Sequence, residues 1–246
     1  MCEYKEIFQR YEKKYLLNER KYRQLRETLE NRFVPDEYGK STVCNIYFDT
    51  PDNLLIRNSI EGPAYKEKLR LRSYGIPGED STVFVELKKK YKGVVYKRRV
   101  DMPLKEAEQF LYERRRPRYL NQIGKEIDWS LQYYDSIRPA MYLCYGRVAL
   151  IGTDDQNLRV TFDSRILWRK GELNLQAGAW GIPLLPSGQR LMEIKIPGAM
   201  PVWLAAALDE MEVYPTSFSK YGAAYRAARL GGEETCEQLK GVICCA

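Results

Sequence analysis

Basic side chains recur at two-residue intervals through this chain. Arg70 and Arg72 stand in KLRLRSYG, Lys97 and Arg99 in VVYKRRV, Arg147 in CYGRVALI, and Arg159, Thr161, Asp163 and Arg165 in NLRVTFDSRI. A Glu-x-Lys tripeptide appears in the same setting three times, as Glu12/Lys14, Glu86/Lys88 and Glu193/Lys195. Successive side chains of a β-strand point to opposite faces, so each set shares one face, while Val85, Leu87, Met192, Ile194 and Ile196 occupy the other. A single run of this kind is an ordinary strand with one solvated side. Its repetition points instead to strands that line a shared interior. Desolvated, unpaired cations are costly, so such a lining calls for a polyanion, and a chain of phosphates suits many converging bases. The acids among the bases have two available roles: fixing Lys and Arg by ion pairing, or holding a hard divalent cation that bridges phosphate oxygens.

Composition narrows the chemistry. The 246 residues carry 40 Lys and Arg against 33 Asp and Glu, a formal charge of +7 that favours an anionic partner. There is no histidine, which removes imidazole as base, nucleophile or metal ligand. The six cysteines, Cys2, Cys44, Cys144, Cys236, Cys244 and Cys245, show no C-x-x-C spacing and read as free thiols of a reducing compartment. MCEYKEIFQRYEKKY is too charged for a signal peptide, no run has the ~20 apolar residues of a membrane span, and the expectation is a cytoplasmic protein. Neither G-x-x-x-x-G-K-[ST] nor G-x-G-x-x-G is present, but phosphoryl transfer can run on positioning and charge neutralisation without either. Nucleic acid is disfavoured, because the bases alternate inside strands rather than forming a surface stripe.

The elements that must position these residues follow from periodicity. Strands are expected at 7–17, 41–49, 64–73, 82–90, 93–101, 140–151, 158–166 and 189–196, the fourth and fifth joined as a hairpin across Tyr91, Lys92 and Gly93. Helices are expected from Glu19 to Arg32 with Asn18 as N-cap, from Pro103 to Arg116, from Leu120 to Tyr134, from Pro201 to Met211 and from Ser217 to Leu230. Thr50 to Ile60 reads as a loop with apolar anchors. Tyr11, Tyr15, Tyr47 and Tyr74 read mainly as packing beside the charged strands, RRRPR (Arg114 to Arg118) as a solvated helix end, and Asp49 and Asp163 as residues that orient arginines or cap turns. The fold class is α+β, with about eight mainly antiparallel strands and helices packed around them, as one domain over residues 1–230 and a tail over 231–246.

The succession RYEKKYLL, NIYFDT, LRLRSYG, FVELKKK, VVYKRRV, YGRVAL, LRVTFDSRI, LMEIKIPG and FSKYGAAY resembles, in order, the VTC (vacuolar transporter chaperone) domain of eukaryotic polyphosphate polymerase, a member of the CYTH or triphosphate tunnel metalloenzyme superfamily. The resemblance implies an antiparallel tunnel barrel and transfer of the γ-phosphoryl of ATP to a growing polyphosphate chain with Mn2+ or Mg2+. ATP, pyrophosphate and polyphosphate are then the ligands, and a membrane protein is a conceivable partner. Carried over by position, the phosphate-binding bases are Lys14, Arg70, Arg72, Lys88, Lys97, Arg147, Arg159 and Lys220, with Lys195 beside them and Glu193 as the metal-binding acid. Of these, Arg70, Arg72, Lys88, Arg147 and Arg159 are assigned to the triphosphate of ATP. Two positions depart from the pattern: Ser217 replaces a lysine of the polymerase segment KFSK, and Arg10 replaces the first acid of the Glu-x-Glu-x-Lys strand of tunnel triphosphatases. The second change fits the VTC branch. A triphosphate or nucleotide hydrolase and a noncatalytic polyphosphate sensor are the alternatives.

Overall fold

The computed structural model describes residues 10–92 and 94–231. Residues 7–9 of the expected first strand, Gly93 of the hairpin and the tail beyond residue 231 lie outside the described residues. The elements run β1 (Arg10–Leu17), α1 (Glu19–Leu29), β2 (Phe33–Asp49), α2 (Leu54–Glu61), β3 (Tyr65–Tyr74), β4 (Thr82–Tyr91), β5 (Val94–Pro103), α3 (Leu104–Tyr112), α4 (Gln122–Tyr133), β6 (Arg138–Gly152), β7 (Arg159–Arg169), β8 (Ile182–Pro183), β9 (Arg190–Pro197), α5 (Val202–Glu210) and α6 (Lys220–Leu230). The strands form a sheet of order β1-β9-β7-β6-β2-β3-β4-β5, with β8 on β7, and the pairs β1/β9, β9/β7, β7/β8, β2/β3, β3/β4 and β4/β5 are antiparallel. The order begins at β1 and ends at β5, an open series that the word barrel describes only loosely.

The chain divides into two compact units. The first takes residues 10–41, 146–165 and 185–218, and the second takes 42–145, 166–184 and 219–231. Each has its own apolar cluster. In the first, Tyr15, Val160, Phe162, Met192 and Ile194 meet Leu25 and Leu29 of α1 and Leu204 and Leu208 of α5. In the second, Ile46, Phe48, Leu69, Leu71, Val85 and Leu87 meet Leu104, Phe110 and Leu111 of α3 and Ile127 and Leu131 of α4. Burial on one side of each strand leaves the alternate residues on the other, which is what fixes the charged faces.

Three differences from the sequence reading have local causes. β2 begins eight residues before the expected strand, because its first half is mostly exposed and lacks alternation. Asp36 there accepts the backbone N–H groups of Tyr38 and Gly39, and Gly39 takes a left-handed φ of 50°, which reads in sequence as a turn. Residues 54–61 form helix α2 where a loop is expected. The adjoining Asn53 makes no side-chain cap bond; instead Thr50 Oγ1 accepts from Leu54 N–H, and the Asp49 carboxylate accepts from Leu55 and Ile56 at 2.8 and 3.0 Å. The capping oxygens thus lie several residues upstream of the position where they are normally sought. β8, within the Gly/Pro-rich segment, is the third.

Asp49 is fully buried, and it also accepts the Tyr221 hydroxyl at 2.9 Å, tying β2 and α2 to α6. Burial raises its pKa, against the pull of these hydrogen bonds. Asp49→Ala leaves several buried donors without an acceptor and is expected to cost about 3 kcal/mol in urea unfolding, against about 1 kcal/mol for Tyr221→Phe. Equal small losses in the two variants would show that the carboxylate does not hold the helix start.

Candidate functional site

In the second unit the register of β2 to β5 sets the charged side chains in rows. Tyr47, Arg70, Glu86 and Arg99 lie directly across from one another, as do Asn45, Arg72 and Phe84 in the next row and Lys68, Lys88 and Lys97 in a third. Glu86 is 1% exposed and takes four cations: Arg70 Nε at 2.6 Å, Arg99 at 2.7 Å, Lys97 Nζ at 2.8 Å and Arg72 Nε at 3.8 Å. Burial pushes its carboxyl up, but the charges of Arg70, Arg72 and Lys97 outweigh that and hold it well below the usual range. Arg72 donates further to Asn45 Oδ1 at 2.8 Å and to the Tyr145 hydroxyl at 3.2 Å, and Arg99 donates to the Tyr74 hydroxyl at 3.2 Å. Desolvation, opposed by Glu86, lowers the Lys97 pKa.

The start of α6 joins this face. Ser219 caps the helix by accepting from Gly222 N–H at 3.1 Å and also accepts from Lys68 Nζ at 3.0 Å. A Cβ added at Gly222 would come within 3.3 Å of Ser219, so glycine permits the close approach. Lys220 is the first residue of the helix, and its Nζ lies 4.8 Å from the Tyr145 ring centroid. The helix N-terminus adds a partial positive charge there. Tyr221 stacks on Tyr47 with centroids 4.4 Å apart, and Arg70 Nη1 donates to the Tyr47 hydroxyl at 3.1 Å.

In the first unit β1, β9 and β7 repeat the plan. Lys14 lies across from Glu193, which lies across from Thr161; Glu12 lies across from Lys195, which lies across from Arg159. Asp163 is fully buried and holds Arg147 by two bonds, at 2.7 and 2.8 Å. Lys14 Nζ donates to Phe218 O at 3.0 Å and lies 3.3 Å from Glu12. Desolvation and the charge of Arg147 lower the Lys195 pKa against the attraction of Glu12 and Glu193. Arg159 is exposed on β7. The expected alternation stops at Arg165, whose φ of 47° inside β7 breaks the two-residue phase.

Glu193 differs from the other acids of these faces. It is 9% exposed and lies 3.5 Å from Arg147 and 3.7 Å from Lys14. The hydroxyl of Thr161, its neighbour across the ladder, is buried with no hydrogen-bond partner among the described residues. Among the described residues no three acidic or thiol side chains cluster to hold an ion by themselves. This donor set fits a divalent ion that takes one carboxylate and draws its other ligands from phosphate oxygens, and it does not fit an all-protein cage.

The rows thus bring Arg70, Arg72, Lys88, Lys97 and Lys220 onto one described face and Lys14, Arg147, Arg159, Glu193 and Lys195 onto another. The site set read from sequence omits Lys68 and Arg99, although Lys68 shares its parity with Arg70 and Arg72 in KEKLRLR and Arg99 its parity with Lys97. It also omits Asn45 and Tyr145, and treats Tyr47 as packing. RRRPR borders a surface groove of 380 Å3 whose lining mixes Lys105, Arg115 and Arg118 with Asp80 and Glu106.

The fold is one that solved structures share. A candidate adenylate cyclase from Bacillus halodurans superposes with TM-score 0.53 at 15% identity, covering 85% of this chain and 92% of its own. A candidate adenylyl cyclase from Hippeastrum, described as having a dominant triphosphatase activity, superposes with TM-score 0.52 at 14% identity, covering 92% and 97%. A search of curated protein sequences finds no match. The profile of the VTC domain matches residues 9–229, and the chain belongs to the VTC domain family. Membership supports a polyphosphate-related or triphosphate-tunnel function.

Tyr47 provides a pH signature for the second face. Burial raises its pKa, but the charges of Arg70, Lys68 and Arg72 and the Arg70 hydrogen bond bring the phenol from 10.0 down to about 8. Between about 8 and 10 the unfolded chain binds the proton and the folded chain does not, so stability rises with pH across that window. The phenolate also adds negative charge among the cations, so affinity for triphosphate should fall as pH passes 8. In absorbance titrations Tyr47→Phe should lose a tyrosinate step near pH 8; retention of the full step would assign it elsewhere.

Proposed function

We propose that this chain transfers the γ-phosphoryl group of ATP to a growing polyphosphate chain, assisted by Mn2+ or Mg2+. The observation that carries the reading is the face around Glu86, where one buried carboxylate meets four cations and cannot neutralise them. Arg70 and Arg72 are held in fixed orientations by Glu86, Asn45, Tyr47 and Tyr145, so they can receive phosphate oxygens without reorganising. Lys88, Lys97 and Lys220 extend the positive surface along which successive phosphates would lie. Within the first unit, Arg147, Arg159, Lys14 and Lys195 form a cationic face of their own, on which Glu193 would hold the metal. A bound divalent ion would neutralise phosphate oxygens and so lower the repulsion between two phosphorylated reactants.

The second reading is hydrolysis of triphosphate or a nucleotide, with water as acceptor. The activity described for the Hippeastrum protein favours it. Arg10, in place of the first acid of the triphosphatase strand pattern, favours the polymerase, as does membership in the VTC family. Incubation with ATP and Mn2+ followed by a gel that resolves polyphosphate from orthophosphate separates the two: a ladder supports transfer, and orthophosphate alone supports hydrolysis.

Glu193→Gln tests the metal assignment. Turnover should fall by ~10²-fold or more, in keeping with loss of one strong electrostatic element. Metal-free triphosphate binding should persist or tighten, because a negative charge has left a cationic face. Arg70→Ala should instead weaken binding with or without metal. Full turnover in Glu193→Gln, accompanied by a less stable fold, would make Glu193 an ion-pair partner of Lys14 and Arg147 only.

A further inference from the structure

The end of the β4–β5 hairpin carries apolar surface that no core accounts for. Val94, Val95 and Tyr96 are 54%, 48% and 48% exposed in succession, so both faces of β5 lie open there. Tyr91, directly across from Val94, is 48% exposed. Further along the same strand Val100 and Met102 are buried, so the open stretch is confined to the tip. Lysines are interleaved with it: Lys89 lies across from Tyr96, Lys90 lies across from Val95, and Lys92 follows Tyr91 with its Nζ 5.4 Å from the ring centroid.

A ribbon with aliphatic and phenolic side chains on both faces, interleaved with ammonium groups on long stems, matches a lipid headgroup region. Tyrosines place an apolar ring and a polar hydroxyl across that boundary, valines enter the acyl edge, and lysines reach the phosphates. Single-stranded nucleic acid would use the tyrosines for stacking and leave the valines in water. A second copy docked tip to tip would bring lysines against lysines. Charge therefore selects an anionic bilayer. We propose that the β4–β5 hairpin end docks this protein onto the surface of an anionic lipid membrane without crossing it. No helix among the described residues is long and apolar enough to cross.

The test is cosedimentation of the full chain with vesicles of phosphatidylcholine alone and of phosphatidylcholine mixed with phosphatidylserine. Binding is expected to the mixed vesicles, to be much weaker on the neutral ones, and to fall with added salt. Val94→Ser with Val95→Ser should reduce it about tenfold, through lost apolar burial. Lys89→Gln with Lys92→Gln should reduce it about fivefold per lysine. Both double variants should melt as the parent does and keep its triphosphate affinity, so failure here leaves the phosphate reading intact. Equal binding to both vesicle types, or binding unchanged in both variants, would overturn the proposal. So would absence of vesicle binding, whether the tip changes then alter single-stranded RNA binding, self-association or neither.

Discussion

The buried carboxylate of Glu86 is the constraint on which the second unit depends. An anion at 1% exposure is tolerated only beside cations, and Arg70, Arg72, Lys97 and Arg99 are tolerated close together only because that anion sits among them. The register of β3, β4 and β5 is specified from both sides. Leu69, Leu71, Val85 and Leu87 require the apolar side, and a slip of one residue would drive Arg70 and Arg72 into α3 and α4 while exposing the leucines. Since one carboxylate offsets only part of four positive charges, the native face keeps a surplus. A polyanion removes that surplus, so the same arrangement that fixes the strands also sets the ligand class.

The acids of the two units divide the available roles. Glu86 and Asp163 are fully engaged, the first by several cations and the second by the paired bonds from Arg147, and both hold arginines in place. Glu193 is nearly as buried, lies 3.5 Å from Arg147 and 3.7 Å from Lys14, and is across the ladder from the unsatisfied Thr161 hydroxyl. A buried carboxylate across the ladder from a hydroxyl that lacks a partner is the basis for proposing Glu193 as the residue that takes an added cation. The distinction rests on distances, which Glu-x-Lys spacing cannot supply.

Much of this was legible from alternation alone. Parity in LRLR and VELK separates the charged from the apolar face, and the observed rows follow it; in YKRR Arg98 falls on the apolar side, across from Leu87, and pairs with Glu126 of α4. The α+β class and most element bounds follow from the same periodicity, and Asn18 caps α1 as expected, whereas α6 starts at Lys220 behind Ser219, three residues after the expected start at Ser217. Illegible features lie where a distant residue supplies the local signal. Asp49 caps α2 from across a turn, and Arg165 leaves strand geometry in the middle of a regular pattern. Arg169 is another case: it is 2% exposed, donates to the carbonyls of Glu172, Asn174, Gly178 and Trp180, and lies 3.5 Å from the Tyr142 ring centroid. Sequence offers no sign that this arginine, unlike its neighbours, organises a loop. The division into two apolar clusters is equally hidden, because β2, β6 and β7 each pass through both units without a break in composition.

The central claim is that the cationic strand faces are sites for linked phosphates and not merely solvated charge. Thermal unfolding measured with triphosphate and with sulfate at equal ionic strength tests it most directly. The account predicts a much larger rise in Tm with triphosphate, growing with concentration as expected for a ligand of the native state and reduced in Arg70→Ala. Equal shifts for the two anions, unchanged in Arg70→Ala, would reduce the effect to screening and contradict it.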